Sequence, residues 1–486
     1  MLIGVLSWAQ EDTAVALAAR GKEAMASGRF AEAARIYAVL VKRIPSNAGL
    51  HLNLGMARYM AGDVRGAVPE LETALRLEPG LGPAQLFLGA AYLASGAPAK
   101  AVKPLAELVG REPANAKARQ MLGDALFALG RVDESLSHFG KLAELEPENP
   151  RAWYGLGKSY EVLSREAYHQ LEKLAPESAY WLALTGGRRE AQRQFRSAFF
   201  FYREALRMDP SLRGLHGALA RIYRETGHPD WANIEEQRER ALGSPACATV
   251  PLECEFAAGR FHAVLEATRT AHSPASLYWR VRAANELALA AFRKLAALPE
   301  SRELHEFLAE AHRNRGNHME AANEWRQALR FAPGDRYLQK ELAMSLHLSR
   351  DYSGASEAVE KLLREDPDSA ELNYLLGDAL LNLQQAARAI PYLEKSAAAD
   401  PSLLPARASL GRAYLQSGLA ARAVPHLRAA LPLDEDGSLH FQLARAYQNA
   451  GQPELARRTL AKYREIQSAR SEDQRRLEEQ VQIEPP

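Results

Sequence analysis

The chain has 486 residues, 47% hydrophobic and 25% charged, and its 61 Lys and Arg nearly cancel 60 Asp and Glu, leaving a net charge of +1. That composition excludes a mainly disordered, collagen-like or polytopic membrane chain, and the length alone suggests about three domains. Near-neutrality removes the electrostatic case for nucleic acid or an anionic membrane as the main partner, and two cysteines are too few for a disulfide scaffold or a Cys-rich zinc site.

The first residues, Leu2 to Ala9, are apolar, and Ser7-Trp8-Ala9 has the small residues of an export cleavage site. A basic n-region is missing and the apolar core is barely long enough. Residues 1–13 therefore read either as the remnant of a signal that starts upstream of Met1 or as a hydrophobic first helix. A periplasmic or secreted location is favoured over a cytoplasmic one. No other stretch approaches the ~18 uncharged apolar residues of a membrane span.

From residue 14 onward the chain repeats. Pro45, Pro79, Pro113 and Pro147 stand 34 residues apart, as do Pro176 and Pro210, and then Pro299, Pro333, Pro367 and Pro401. At ordinary proline frequency a given Pro starts such a four-member ladder about once in ten thousand trials. Small residues keep the same phase: Gly21, Gly55, Gly89, Gly123, Gly186 and Gly377 lie 24 residues before ladder prolines, and Ala33, Ala67, Ala101 and Ala389 follow twelve positions after such glycines. Larger apolar residues, such as Tyr37, Leu71, Phe139, Trp325 and Leu393, come four positions later still.

A Gly inside a helix costs about 1 kcal/mol against Ala, so its recurrence signals close approach of a second helix. The small residue twelve positions on is expected to lie on that neighbour. Gly62, Gly96, Gly130 and Gly418 fall in the intervening turns, where a left-handed residue ends a helix. The ladder proline ends the second helix. One such pair cannot bury its apolar face alone, whereas stacked pairs form a continuous core.

Two places break phase. Residues 153–176 and 277–299 lack the small-residue turn, and each is expected to form one long helix, the same irregular element used twice. Residues 243–275 hold Pro245, Pro251, Pro274, Cys247 and Cys254; here a repeat-like segment, Glu255 to Phe261, marks a bend or the meeting of two arms. Cys247 and Cys254 stand either as two buried free thiols, the first reading, or as a candidate disulfide, which Pro251 between them makes geometrically feasible. The segment from Ser468 to Pro486 reads as a charged helical extension or capping helix before a loose end.

These residues resemble the tetratricopeptide repeat, most clearly in Gly377…Ala389…Leu393…Pro401 and Gly411…Tyr414…Gly418…Ala423…Leu427. The resemblance implies an all-α fold, an α-solenoid superhelix of about twelve helix–turn–helix repeats. It divides the chain into a possible leader (1–13), an N-terminal arm (14–246), an irregular helical junction (247–301), a C-terminal arm (302–469) and a charged tail (470–486).

No constellation points to catalysis, a metal or a cofactor. His305-Glu306 and His312 are seven residues apart, not the four a zinc helix needs, and both sit at packing positions. Gly186-Gly187-Arg188-Arg189 is no phosphate loop and is read as shaping a helix end. No segment of ~100 residues, the usual size of a domain, lies outside the repeats to house a catalytic module.

By resemblance, the first helix of each unit lines a concave face that takes a partner protein or peptide. The N-terminal lining is largely apolar: Leu52, Asn53, Met56, Tyr59, Leu86, Phe87, Leu93, Met121, Asp124 and Phe127. The C-terminal lining is polar: Glu306, Arg313, Lys340, Tyr374, Asp378, Asn382, Arg412, Gln416, Phe441, Arg445, Gln448 and Asn449. Arg412 and Arg445 could fork onto a carboxylate. Chaperone-binding relatives clamp a carboxylate with Lys and Asn in successive repeats; Leu52 and Pro83 occupy clamp positions here, so that role is not expected. The resulting expectation is a non-enzymatic interaction scaffold. A self-associating structural protein, or the substrate-recruiting subunit of a separate enzyme, is the alternative.

Overall fold

The computed structural model describes residues 13–270, 272–480 and 482–486; the apolar stretch Leu2 to Ala9 lies outside them. Among the described residues there are 26 α-helices and no strand. Consecutive helices pair. The pairs are α1 (Ala14–Ala26) with α2 (Phe30–Arg43), α3 (Ala48–Met60) with α4 (Val64–Leu77), α5 (Gly82–Ala94) with α6 (Pro98–Arg111) and α7 (Ala116–Ala128) with α8 (Val132–Leu145). One long helix, α9 (Pro150–Leu174), follows. Next come α10 (Ala179–Ala191) with α11 (Phe195–Met208), α12 (Leu215–Glu225) with α13 (Pro229–Ala241), and the short α14 (Pro251–Ala257) with α15 (Phe261–Ala267). A second long helix, α16 (Pro274–Ala296), precedes α17 (Arg302–Asn314) with α18 (His318–Phe331), α19 (Arg336–Leu348) with α20 (Tyr352–Glu365) and α21 (Ala370–Asn382) with α22 (Ala386–Ala399). The last pairs are α23 (Leu404–Gln416) with α24 (Ala420–Ala430) and α25 (Ser438–Asn449) with α26 (Pro453–Gln480). The protein is an all-α, solenoid-like repeat protein, and α9 and α16 are the two run-together helices the broken phase predicts.

The in-phase glycines do their work against a residue sixteen positions on. A Cβ added to Gly89 would stand 2.5 Å from Leu105 Cγ, one on Gly377 2.5 Å from Leu393 Cγ, and one on Gly186 2.7 Å from the Tyr202 ring. The expected small residue at twelve positions lies beside this contact: the same Cβ on Gly377 would be 3.3 Å from the Ala389 carbonyl oxygen. The close partner is thus the bulky Leu or Tyr, seated directly on the glycine backbone. Where Ala309 stands in place of Gly, the residue sixteen on is Trp325, and both are fully buried in one cluster.

The turns behave as expected at Gly62, Gly96, Gly130 and Gly418, whose φ values are 71 to 87°. Arg193, Arg350 and Gln384 take the same left-handed conformation without being Gly, with φ of 58°, 66° and 62°. Tertiary pairing therefore holds the turn even where the local sequence disfavours it.

Six of the helices that follow a ladder proline start with the same device. Asn47, Asn115, Ser178, Ser301, Asp335 and Ser369, two residues after a ladder proline, accept a hydrogen bond from a first-turn amide, as N-caps do. Six residues after the proline, a side-chain nitrogen reaches back to the proline carbonyl: His51 to Pro45, Gln85 to Pro79, Arg119 to Pro113, Trp153 to Pro147, Gln339 to Pro333, Asn373 to Pro367 and Arg407 to Pro401. Four residue types besides His share this role, and their common property is a side-chain N–H. The carbonyl follows the end of the second helix and has no helical partner, so this clip satisfies it.

Not every proline ends a helix. Pro69, Pro104, Pro391 and Pro425 lie inside second helices, each forgoing one backbone hydrogen bond.

The described residues cluster into two compact units, one running to Ala167 and including Arg280–Leu298, the other holding Tyr168–Trp279 and Pro299–Pro486. The division falls inside both long helices. The arms 14–246 and 302–469 mark the phase of the repeat; the units mark spatial clustering and cut the chain elsewhere. In the first unit α9 lacks a sequence-adjacent second helix, and α16 supplies it. A Cβ on Gly157 would stand 2.5 Å from the Phe292 ring, and Ser164 Oγ donates to Asn285 Oδ1 at 2.7 Å. Both pairs sum to the same residue index, so the helices run antiparallel.

Two expectations are corrected here. Cys247 and Cys254 are bridged, with Cα atoms 5.6 Å apart; Cys247 is exposed and Cys254 half-buried, so buried free thiols do not describe them. Pro251 opens α14 and leaves Cys247 in the preceding loop, which brings the pair closer than one continuous helix would. The segment after α26 is not loose: Tyr223 donates to the Glu484 carbonyl at 2.6 Å, and Arg203 pairs with the Glu484 carboxylate.

Gly89→Ala and Gly377→Ala should each destabilise the protein by about 1–3 kcal/mol, the cost of overpacking. Ala would otherwise favour a helix by about 1 kcal/mol. Gly140→Ala in α8, whose Cβ would meet nothing within 4 Å, should realise that gain. Thermal unfolding of the three variants checks the opposite signs.

Candidate functional site

The C-terminal lining residues fall on the first helices α17, α19, α21, α23 and α25. Tyr374, Asp378 and Asn382 are spaced by four along α21 and share one face. Asp378 is only 7% exposed, yet its carboxylate is fully engaged. Arg412 Nη2 lies 2.9 Å and Ser409 Oγ 2.5 Å from Oδ1; His347 Nε2 and Asn382 Nδ2 each lie 2.9 Å from Oδ2. A carboxylate removed from water needs such partners. Burial pushes the Asp378 carboxyl upward, but hydrogen bonds from His347 and Ser409 and the Arg412 charge outweigh it and hold the group below the ordinary carboxylate range.

This hub ties α19, α21 and α23 together through one side chain. Arg412 is therefore anchored by an internal carboxylate, with its Nε buried and lacking a partner among the described residues. Tyr374 packs near the His347 ring, with centroids 6.4 Å apart, and burial pushes its hydroxyl up to about 12. Gln416, Arg445, Gln448 and Asn449 are exposed, and Arg445 makes no ion pair among the described residues. Phe441, 42% exposed, rests against Tyr463 with centroids 5.5 Å apart.

Other lining charges are spent between repeats. Lys340 pairs with Glu371 at 2.5 Å, Arg313 with Glu341, and Asp124 accepts from Arg151 Nη2 at 2.8 Å. In the N-terminal lining, Leu52, Tyr59, Leu86, Phe87, Leu93 and Met121 are half-buried and packed on the core cluster of α4 to α7. Tyr59 and Phe87 meet edge-on at 5.8 Å. Asn53, Met56 and Phe127 are also half-buried on α3 and α7. The apolar set is thus largely inter-repeat packing that leaves part of each side chain open.

His347 and Ser409 escape the sequence reading. They stand 31 residues before and after Asp378, and Arg412 stands 34 after it. First helices of adjacent repeats lie side by side, so opposite or hydrogen-bonding partners at spacings near one repeat are the signal that would reveal them.

Among the described residues, no group of three or more His, Cys, Asp or Glu is placed to hold a metal ion, and no helix is long and apolar enough to cross a membrane. His305 Nδ1 faces Glu324 at 2.7 Å, a packing contact. Contrary to the expectation that they shape a helix end, Gly186 and Gly187 lie inside α10, where Gly186 makes room for the Tyr202 ring.

Family models of the tetratricopeptide repeat match residues 18–80, 57–116, 341–403 and 437–462, and a further model of the same repeat matches 123–163. Among solved structures, MamA from Desulfovibrio magneticus RS-1 is 24% identical over 36% of this chain and 98% of its own, with a TM-score of 0.32. TTC0263, a tetratricopeptide-repeat protein of Thermus thermophilus, is 19% identical over 38% of this chain and 100% of its own, with a TM-score of 0.30. A comparison with curated proteins finds no match.

Asp378→Ala should cost about 3 kcal/mol, because it leaves the buried Arg412 and His347 contacts uncompensated, whereas Ser409→Ala should cost about 1 kcal/mol. The folded-state pKa of Asp378 is depressed, so its contribution is complete above the unfolded value, near 4, and is lost as pH falls through the lower folded value. The stability gap between wild type and Asp378→Asn should narrow only below about pH 4, as read by thermal melts across a pH series.

Proposed function

The chain belongs to the tetratricopeptide-repeat family, and from that premise we propose that it is a non-enzymatic scaffold that binds a protein or peptide on its first-helix face. Tetratricopeptide repeats are interaction modules, and rigid helices present their surface with little ordering cost on binding. The observation that carries the reading is the row of exposed polar side chains on neighbouring first helices: Gln416 on α23, then Arg445, Gln448 and Asn449 on α25. The Asp378 hub braces the helices beside them. Arg445, unspent on an internal carboxylate, is the candidate fork for an acidic group on the partner.

Tyr374, Asp378, Asn382 and Arg412 serve this surface by holding its backbone in place, while Phe441 offers an apolar contact at its edge. Tyr59, Phe87 and Met121 supply a second, apolar contact area in the N-terminal repeats, with Met adaptable to varied guests. The Cys247–Cys254 bridge suits an oxidising compartment.

Affinity capture with mass spectrometry should show the partners of the wild type lost from an Arg445→Ala/Gln448→Ala double variant whose melting temperature is unchanged. Retention of every partner by that variant would overturn the assignment of this face.

A further inference from the structure

A different face already holds a peptide segment. Arg203, Leu206 and Arg207 of α11, His216, Leu219 and Tyr223 of α12, and Glu235 and Arg238 of α13 line a cavity of about 300 Å³ together with Pro485 and Pro486. All of these residues belong to the second compact unit. α11 and α13 are second helices of their pairs and α12 a first helix, and none of the three carries a residue of the polar row on α23 and α25.

The groove has the features of a built site. Tyr223 is 1% exposed, its ring packed edge-on between Phe199 and Trp231 at 5.5 and 5.6 Å. Its hydroxyl nevertheless reaches the backbone of the segment and donates to the Glu484 carbonyl at 2.6 Å. Arg203 lies over the Phe199 ring, 5.6 Å from its centroid, and pairs with the Glu484 carboxylate. The neighbouring cations are spent locally: Arg207 pairs with Glu204 at 2.9 Å and Arg238 with Glu235 at 2.7 Å. Among the described residues, Glu484 is the one carboxylate that Arg203 pairs with.

The segment suits such a groove. Pro485 and Pro486 cannot continue a helix, and Pro485 biases Glu484 toward extended backbone. A proline pair is pre-set in an extended form, so docking it orders little chain. Ile483 and Pro486 are half-buried while Gln482 and Pro485 are exposed.

We propose that the α11–α13 groove is a binding site for a short extended segment with an acidic residue followed by prolines, and that residues 482–486 of this chain are its resident, displaceable occupant. Arg203 reads the acidic side chain, and Tyr223 reads the carbonyl that precedes the first proline. Tethering keeps the resident segment at a millimolar effective concentration, so an incoming segment of the same chemistry must compete with it.

The test uses a dye-labelled peptide with the sequence of residues 482–486, the full chain, and a form that stops at residue 481. By fluorescence anisotropy the shortened form should bind the peptide at least about tenfold more tightly than the full chain does. Glu484→Ala in the full chain should open the groove and recover most of that difference. In the shortened form, Arg203→Ala and Tyr223→Phe should each weaken binding by roughly tenfold with unchanged helical circular dichroism. Equal binding to both forms, or binding indifferent to both substitutions, would overturn the proposal. So would a full chain that is dimeric by light scattering and becomes monomeric when residues 482–486 are removed, because the occupant would then come from a second copy.

Discussion

Everything in this fold depends on a large side chain seated on bare backbone. Leu71, Leu105, Leu393 and Leu427 pack where a Cβ on Gly55, Gly89, Gly377 or Gly411 would stand about 2.5–2.6 Å away. Interiors are close-packed, so this contact sets the separation of the two helices in each pair. That separation sets how the next pair stacks. The stacking then places first helices side by side, which is why residues near one repeat apart can meet at all. Gly157 shows how strongly the contact is demanded. With no second helix following α9 in sequence, the protein fills the position with Phe292 from α16.

Polar groups follow the same periodic frame with more freedom of residue type. After seven of the ladder prolines the side chain six positions on varies from His to Trp to Arg, yet each of the seven reaches the proline carbonyl. Only the N–H is selected, because only an unsatisfied carbonyl must be answered. The same economy governs the Asp378 hub. Burying a carboxylate is unfavourable unless its oxygens are matched, and three neighbouring helices each contribute a donor. The polar row thereby gains a fixed geometry, with Arg412 braced inside and Arg445 left outward.

The two faces differ in what they ask of a guest. The first-helix row presents exposed Arg, Gln and Asn on a braced frame. The α11–α13 groove has an aromatic wall, and its Arg203 pairs with the acidic side chain of the proline segment already in it.

Much of this was legible in the residues before any coordinate. The proline ladder, the glycines and the turn positions sufficed for the helix pairs, and the missing turns at 153–176 and 277–299 foretold α9 and α16. These features are local, and backbone sterics act on each residue in turn. Tertiary structure alone decided the rest. Pairing of α9 with α16, the Cys247–Cys254 bridge in place of buried thiols, His347 and Ser409 around Asp378, and the capture of Glu484 by Tyr223 all join residues whose meeting depends on how helices stack or how a loop turns. Periodicity along the chain specifies which residues share a helix face; the summed geometry of many packed pairs specifies which faces meet, and that sum is not written in any single segment.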